Sequence, residues 1–359
     1  MQILVIFFLK ELNFSQYTDL YDKLIPQNHL FRKINELIDF NFIRDELKDK
    51  YSPDNRRTAE DPEYLFKFLF LKCLHPMSDV DLVERALYDL SYKYFLGLNP
   101  EDEVINASTL SKFRKLRLKD TELLDLLIEK TVQIAMDKGI IESKSIIIDA
   151  THTKSRYNSH PIREVLQEHA KRLRKEVYRV DEKTKNMMPA KNEDEDAKTG
   201  YKSADTAFFD YKTHIAMTPE RIIAAATITS GEKPDGKELP ELVEKSRKAG
   251  MTVENVIADR AYSGKDNKGF VYKECAKSKT FSVTLKCDEH KQQQEFQETE
   301  EFKQLSKERY KIEAKNSELK NVLGYDVSTG NCLYATKIQG ACTIFAANIK
   351  RIITILDEK

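Results

Sequence analysis

The stretch Ser145-Ile146-Ile147-Ile148-Asp149-Ala150-Thr151 constrains the fold more than any other part of the chain. Three consecutive β-branched apolar residues running into one carboxylate predict a strand covered on both faces, with an acid at its carboxyl end. The same arrangement returns where Val256-Ile257-Ala258 runs into Asp259 and Arg260. Ligands of α/β sheets collect beyond the carboxyl ends of such strands. A single Asp there can equally be a turn or helix-cap residue. Two brought to one sheet edge repel each other unless a cation neutralises them, so the pair points to a divalent-metal site.

The segment between the two strands says how they meet. Phe208 to Met217 and Ile222 to Thr229 read as an antiparallel meander, joined by a turn at Thr218-Pro219-Glu220. Glu238 to Ala249 reads as an amphipathic helix with Leu239, Leu242 and Val243 inward, closed by Gly250. A right-handed crossover through that helix sets the two aspartate strands side by side, carboxyl ends together. Pro161 to Gly200 is densely charged and reads as a surface helix followed by a flexible loop, so a charged loop is expected over 160–200. A closing helix, Cys342 to Leu356, is expected to pack on the sheet.

Before residue 140 the period is helical. Leu30, Ile34, Leu37 and Ile38 form one apolar stripe, and Leu65, Phe66, Leu69, Phe70 and Cys73 another. Asp61-Pro62-Glu63 supplies a cap, a first-turn proline and an acid for one helix, Ser78 caps the next, and Asn106-Ala107-Ser108-Thr109 starts a further one. That last helix carries Lys112, Arg114, Lys115, Arg117 and Lys119 without an acid through Lys119. Its amino terminus, with Ser108 and Thr109, suits DNA phosphates, as the second helix of a helix-turn-helix does. The alternative is a solvated basic face balanced by Glu122, Asp125 and Glu129. Because Lys plus Arg and Asp plus Glu are both 59, no global charge advertises a nucleic-acid partner and any basic footprint must be local.

A third acid is expected on a long charged helix from about Glu300 to Val322. Arg309, Glu313 and Lys320 share one face there, beside an apolar stripe of Ile312, Leu319 and Leu323. Taken alone, Arg309 and Glu313 also fit a surface ion pair. The five cysteines follow no CxxC spacing, which argues for a reducing cytosol and against a zinc ribbon. Residues 1–12 open on an apolar run too short to span a bilayer and are expected as a buried strand or an upstream extension, with no membrane partner.

Together these residues resemble the DDE transposases of bacterial insertion sequences, in the group with a helical amino-terminal domain. The likeness runs through Tyr64-Leu65-Phe66-Lys67, Met77-Ser78-Asp79, Tyr94-Phe95-Leu96-Gly97-Leu98 and Ser108-Thr109-Leu110-Ser111-Lys112-Phe113-Arg114. It continues through Asp149-Ala150-Thr151, Ala258-Asp259-Arg260-Ala261-Tyr262 and the Arg309, Glu313, Lys320 signature. It implies an α/β fold, with an RNase H-like mixed-sheet catalytic domain over 141–359 preceded by an all-α DNA-binding domain over 13–140. It implies Asp149, Asp259 and Glu313 as catalytic residues and ligands of two Mg²⁺ ions, for which Mn²⁺ substitutes. It further implies Arg309 and Lys320 on DNA phosphates, with Ser108, Thr109, Lys112, Arg114 and Lys115 also binding DNA.

The implied partners are terminal inverted repeats, target DNA and further copies of the chain in a dimer or higher multimer. The implied location is the bacterial cytoplasm, at the nucleoid. Two departures stand out. Ser306 lies where the family pattern has Tyr, and the segment between Asp259 and Glu313 is short, lacking a Cys-rich insert. Only Thr280 to Leu285 reads as able to supply a further strand there, so an irregular sheet is expected. The competing reading is an internally deleted copy that binds DNA with weak cleavage or none.

Overall fold

The computed structural model describes residues 17–51, 60–156, 170, 196–203, 206–262, 277–280 and 298–359. The amino-terminal half is helical: α1 (Asp19–Leu24), α2 (Leu30–Leu37), α3 (Phe42–Leu47), α4 (Pro62–Leu74), α5 (Asp79–Tyr88), α6 (Leu90–Leu96), α7 (Ala107–Leu116) and α8 (Leu123–Asp137). Their starts follow local chemistry. Asp61 accepts the Glu63 N–H at 3.0 Å, Ser78 Oγ that of Asp81 at 3.1 Å, and Asn106 Oδ1 that of Ser108 at 2.9 Å. Each satisfies one of the amide groups a helix leaves open at its first turn.

The sheet contains β1 (Ser145–Lys154), β2 (Lys198–Ser203), β3 (Thr206–Met217), β4 (Ile223–Ser230), β5 (Asn255–Ala258) and β6 (Lys277–Thr280). β1 is central. On one side it pairs antiparallel with β3, Asp149 opposite Ile215 and Ala150 opposite His214. On the other it pairs parallel with β5, Ser145 opposite Asn255 and Ile148 opposite Ala258. The far edge of β3 is shared, with β2 along its first half and β4 along its second. Helix α9 (Leu239–Lys248) crosses between β4 and β5. This mixed sheet, with a helical region before it, is the RNase H-like arrangement expected.

Two expectations need correction. Lys198, Thr199 and Gly200, at the end of the expected charged loop 160–200, belong to strand β2, because their backbone continues the ladder along β3 from Asp210. Among the described residues the strand beyond β5 is Lys277–Thr280, which begins before the expected Thr280 to Leu285. β6 runs parallel to β5 from Lys277 opposite Asn255 to Thr280 opposite Ala258, so the row is filled and not missing. Its polar sequence reads as loop, yet polar and lysine-rich is what an edge strand needs to avoid pairing with another chain. Residues 281–285 lie outside the described residues, as do 1–12 and most of 160–200.

Past the sheet come α10 (Glu300–Glu308), α11 (Tyr310–Ser317), a π-helical turn over Glu318–Val322 and α12 (Leu333–Glu358). The single long helix expected over 300–322 is therefore interrupted at Arg309. α12 is apolar around most of its circumference, and such a helix must be covered on all sides. It packs on β4 beneath the sheet and on α4 and α8 of the helical region. Phe345 meets the rings of Phe40, Phe66 and Phe70 at 6.2, 6.0 and 5.5 Å. One continuous core thus runs from Phe31 and Ile34 to Ile146, Ile147 and Ile148, all in the interior.

Candidate active site

Ile146, Ile147 and Ile148 are each 0% exposed, and the chain reaches the surface only at Asp149 and Ala150, both half-buried. One step beyond the last parallel pair, Ile148 with Ala258, stand Asp149 and Asp259 at the same sheet edge. Asp259 Oδ1 accepts the Ala261 N–H at 2.9 Å, which turns the backbone into a short 3₁₀ turn and sends Tyr262 into the interior. The cap role open to a lone Asp is thus real for Asp259, and it uses one carboxylate oxygen.

Helix α11 packs against β1. Ile312 fills its inner face and Leu319 on the following π-helical turn continues it, both 0% exposed, while Glu313 lies at the margin with its side chain exposed. The side chain that touches the first acid is one that sequence reasoning missed: Asn316 Nδ2 donates to Asp149 Oδ2 at 3.0 Å. Its spacing, three residues after Glu313, was the available signal. Arg309 sits half-buried at the junction of α10 and α11, its Nε buried without a hydrogen-bond partner among the described residues. Lys320 is half-buried on the π-helical turn. Ser306 bonds its hydroxyl back to the Lys303 carbonyl at 2.9 Å and offers no ring, while Tyr310 beside Arg309 is 66% exposed.

The electrostatics converge on Asp149. Burial pushes its carboxyl up to about 6; the nearby charges of Asp259 and Glu313 push the same way, against the Ala150 N–H and Arg309. Burial is the larger cause, and the neighbouring carboxylates add to it. Among the described residues no three His, Cys, Asp or Glu side chains meet closely enough to hold a metal ion. By donor chemistry the three expected carboxylates, Asp149, Asp259 and Glu313, nevertheless suit a hard divalent cation, which takes oxygen ligands.

The amino-terminal basic residues divide. Ser108, Lys112 and Lys115 on α7 are exposed and Thr109 is half-buried. Arg114 turns back to Asp79, with Nη1 3.2 Å from Oδ1, and Lys72 holds the same carboxylate at 2.6 Å. Arg114 thus ties α7 to α5, whatever part it takes in the DNA contact expected of it. Arg117 stacks over Tyr51 at 4.4 Å. A cleft of about 870 Å³ opens beside α7, with Lys72, Lys115 and Arg156 on its walls.

The family model described as Transposase DDE domain matches residues 140–349, and the one described as Transposase domain (DUF772) matches residues 19–116. The chain belongs to the DDE transposase family. No curated protein matches it. Among solved structures it aligns with the Mos1 transposase paired-end complex with left transposon end, at 8% identity and a TM-score of 0.21, over 86% of this chain and 91% of that one. A likeness that low carries no argument. As a DDE transposase this protein acts on DNA with divalent metal ions. Among its described residues no helix is long and apolar enough to cross a membrane.

Proposed function

We propose that this transposase binds the terminal inverted repeats of an insertion sequence, cuts the DNA at their ends and joins the freed 3′ ends to a target. Asp149, Asp259 and Glu313 would hold two Mg²⁺ ions. When bound, such a pair activates the attacking oxygen and stabilises the leaving 3′-oxygen. The observation that carries the reading is the parallel register of β1 and β5, which sets two buried-strand acids at one edge with a glutamate-bearing helix over them. Glu313, being exposed, keeps the rotamer freedom to turn inward, whereas Asp149 is held by its surroundings. Arg309, at the helix junction beside Asp149, supports phosphate binding near the acids, and so does Lys320 on the same segment. Ser108, Thr109, Lys112 and Lys115 would grip DNA phosphates from α7, and two or more copies would act together on paired ends.

The experiment is nicking of labelled repeat-ended DNA in Mg²⁺ or Mn²⁺. Wild type is expected to cut, and Glu313→Gln and Asp149→Asn to bind the same DNA without cutting, since a neutral amide ligates these ions poorly. Wild-type binding without any nicking would favour the competing reading, a DNA-binding copy without catalysis. The exposed position of Glu313 is the observation on that side.

A further inference from the structure

Helix α11 has its rotation set by what it buries. Ile312, Lys315 and Leu319 are each 0% exposed, and the Lys315 ammonium lies 2.8 Å from Glu318. Asn316, four residues after Ile312 and three before Leu319, therefore lies on the packed face, one above the other with them. Glu313 falls to the side. Asn is a mediocre helix former, because its side chain competes for backbone groups elsewhere. Here it also leaves Oδ1 buried without a hydrogen-bond partner among the described residues, a loss of about 1–3 kcal/mol for a neutral polar group. An apolar residue would pack there at lower cost, so the stability of the helix does not explain this side chain. Its hydrogen bond to Asp149 Oδ2, at 3.0 Å, does.

We propose that Asn316 is a positioning residue for Asp149, an inference that rests on the reading of Asp149 as a metal ligand. A carboxylate can turn about its Cβ–Cγ bond, and each oxygen accepts from several directions. Holding Oδ2 fixes that torsion, and with it the direction in which the other oxygen points. The same bond registers α11 on β1, so it sets the helix carrying Glu313 relative to the strand carrying Asp149. Partners of this kind around a metal ligand govern ligand orientation, and their removal typically weakens metal binding by roughly 10- to 100-fold.

The test is Mn²⁺ binding to the full chain, followed by the electron paramagnetic resonance of free Mn²⁺, for wild type, Asn316→Ala, Asn316→Ser and Asp149→Asn. Thermal melts and gel shifts on repeat DNA run alongside. Asn316→Ala is expected to raise the Mn²⁺ dissociation constant by roughly 10-fold or more, with folding and DNA binding unchanged. Asn316→Ser, which keeps an O–H donor, is expected to recover part of the loss. Unchanged Mn²⁺ binding in Asn316→Ala, with binding lost in Asp149→Asn, would overturn the role of Asn316 and leave the metal site standing. A serine variant no better than alanine would also overturn it, by assigning the loss to packing. Mn²⁺ binding unaffected by Asp149→Asn would overturn the site reading itself, and the role of Asn316 with it.

Discussion

Asn348 on α12 grips Ile223 on β4 by both halves of its backbone. Its Oδ1 accepts the Ile223 N–H at 2.8 Å, and its Nδ2 donates to the Ile223 carbonyl at 2.8 Å and to Thr131 Oγ1 at 2.9 Å. The side chain is 0% exposed. One amide thus ties the carboxyl-terminal helix to the sheet and to α8 of the helical region. Asn348→Leu would strand the Ile223 N–H and carbonyl, each left unsatisfied at about 1–3 kcal/mol, while the Thr131 hydroxyl keeps its bond to the Ile128 carbonyl. A loss of roughly 2–5 kcal/mol in urea unfolding is expected from the two together. A loss below about 1 kcal/mol, the size of a single ordinary hydrogen bond, would show the link to be dispensable.

His214, opposite Ala150 in the ladder, is 0% exposed, and burial pushes its imidazole from the usual 6.5 down to about 4, despite Asp235 at 3.9 Å. The unfolded chain therefore binds more protons than the native one between those values. Stability contributed by the neutral ring is full above pH 6.5 and is lost as pH falls toward 4. Each tenfold change in proton affinity is worth about 1.4 kcal/mol, so the whole effect is at most about 3 kcal/mol. Urea unfolding of wild type and His214→Gln at several pH values is expected to show a shallower acid loss in the variant. Parallel curves would place the acid sensitivity elsewhere.

Asp149 works with the opposite sign. With its carboxyl raised from 3.8 to about 6, the native state holds more protons between those values, so metal-free stability falls as pH rises through that window. Asp149→Asn is expected to stabilise the metal-free protein at about pH 7.5 by about 1–3 kcal/mol, from the same linkage. It is also expected to abolish cleavage. Melting curves in chelator test this, and a destabilised variant would contradict it.

On α7 the basic residues should separate by experiment. Lys112→Ala and Lys115→Ala are expected to lower the slope of log DNA affinity against log salt by roughly one per lost phosphate contact, with stability intact. Arg114→Ala, which leaves the Asp79 carboxylate to Lys72 and the Ser111 hydroxyl, is expected to cost about 1–2 kcal/mol of stability, less than for a fully buried pair. Salt titrations and unfolding curves of the three variants decide between the roles.

Gly340 on α12 lies where an added Cβ would run into Ile228 of β4 and the Tyr325 hydroxyl, itself 2.9 Å from Thr213 Oγ1. Gly340→Ala is expected to destabilise by about 1–3 kcal/mol, the usual cost of overpacking. A neutral result in urea would mean that the helix can shift away from the sheet.

Local pattern was enough for much of this fold. A continuous β-branched run can be satisfied only by a strand buried on both faces, so Ile146 to Ile148 announced the central strand and Asp149 its end. The caps at Asp61, Ser78 and Asn106 were legible because a helix start has a chemistry of its own. The crossover before β5 followed from chain handedness, which is enough to bring Asp149 and Asp259 to one edge. What sequence left open depends on contacts between distant segments. β2 and β6 are polar, and only their pairing partners make them strands. Phe345 among Phe40, Phe66 and Phe70 joins the helical region to the sheet in one core, which no local period reveals. The rotation of α11, set by Ile312, Lys315 and Leu319, decides that Asn316 rather than Glu313 touches Asp149, because which face of a helix is buried is determined by what it packs against.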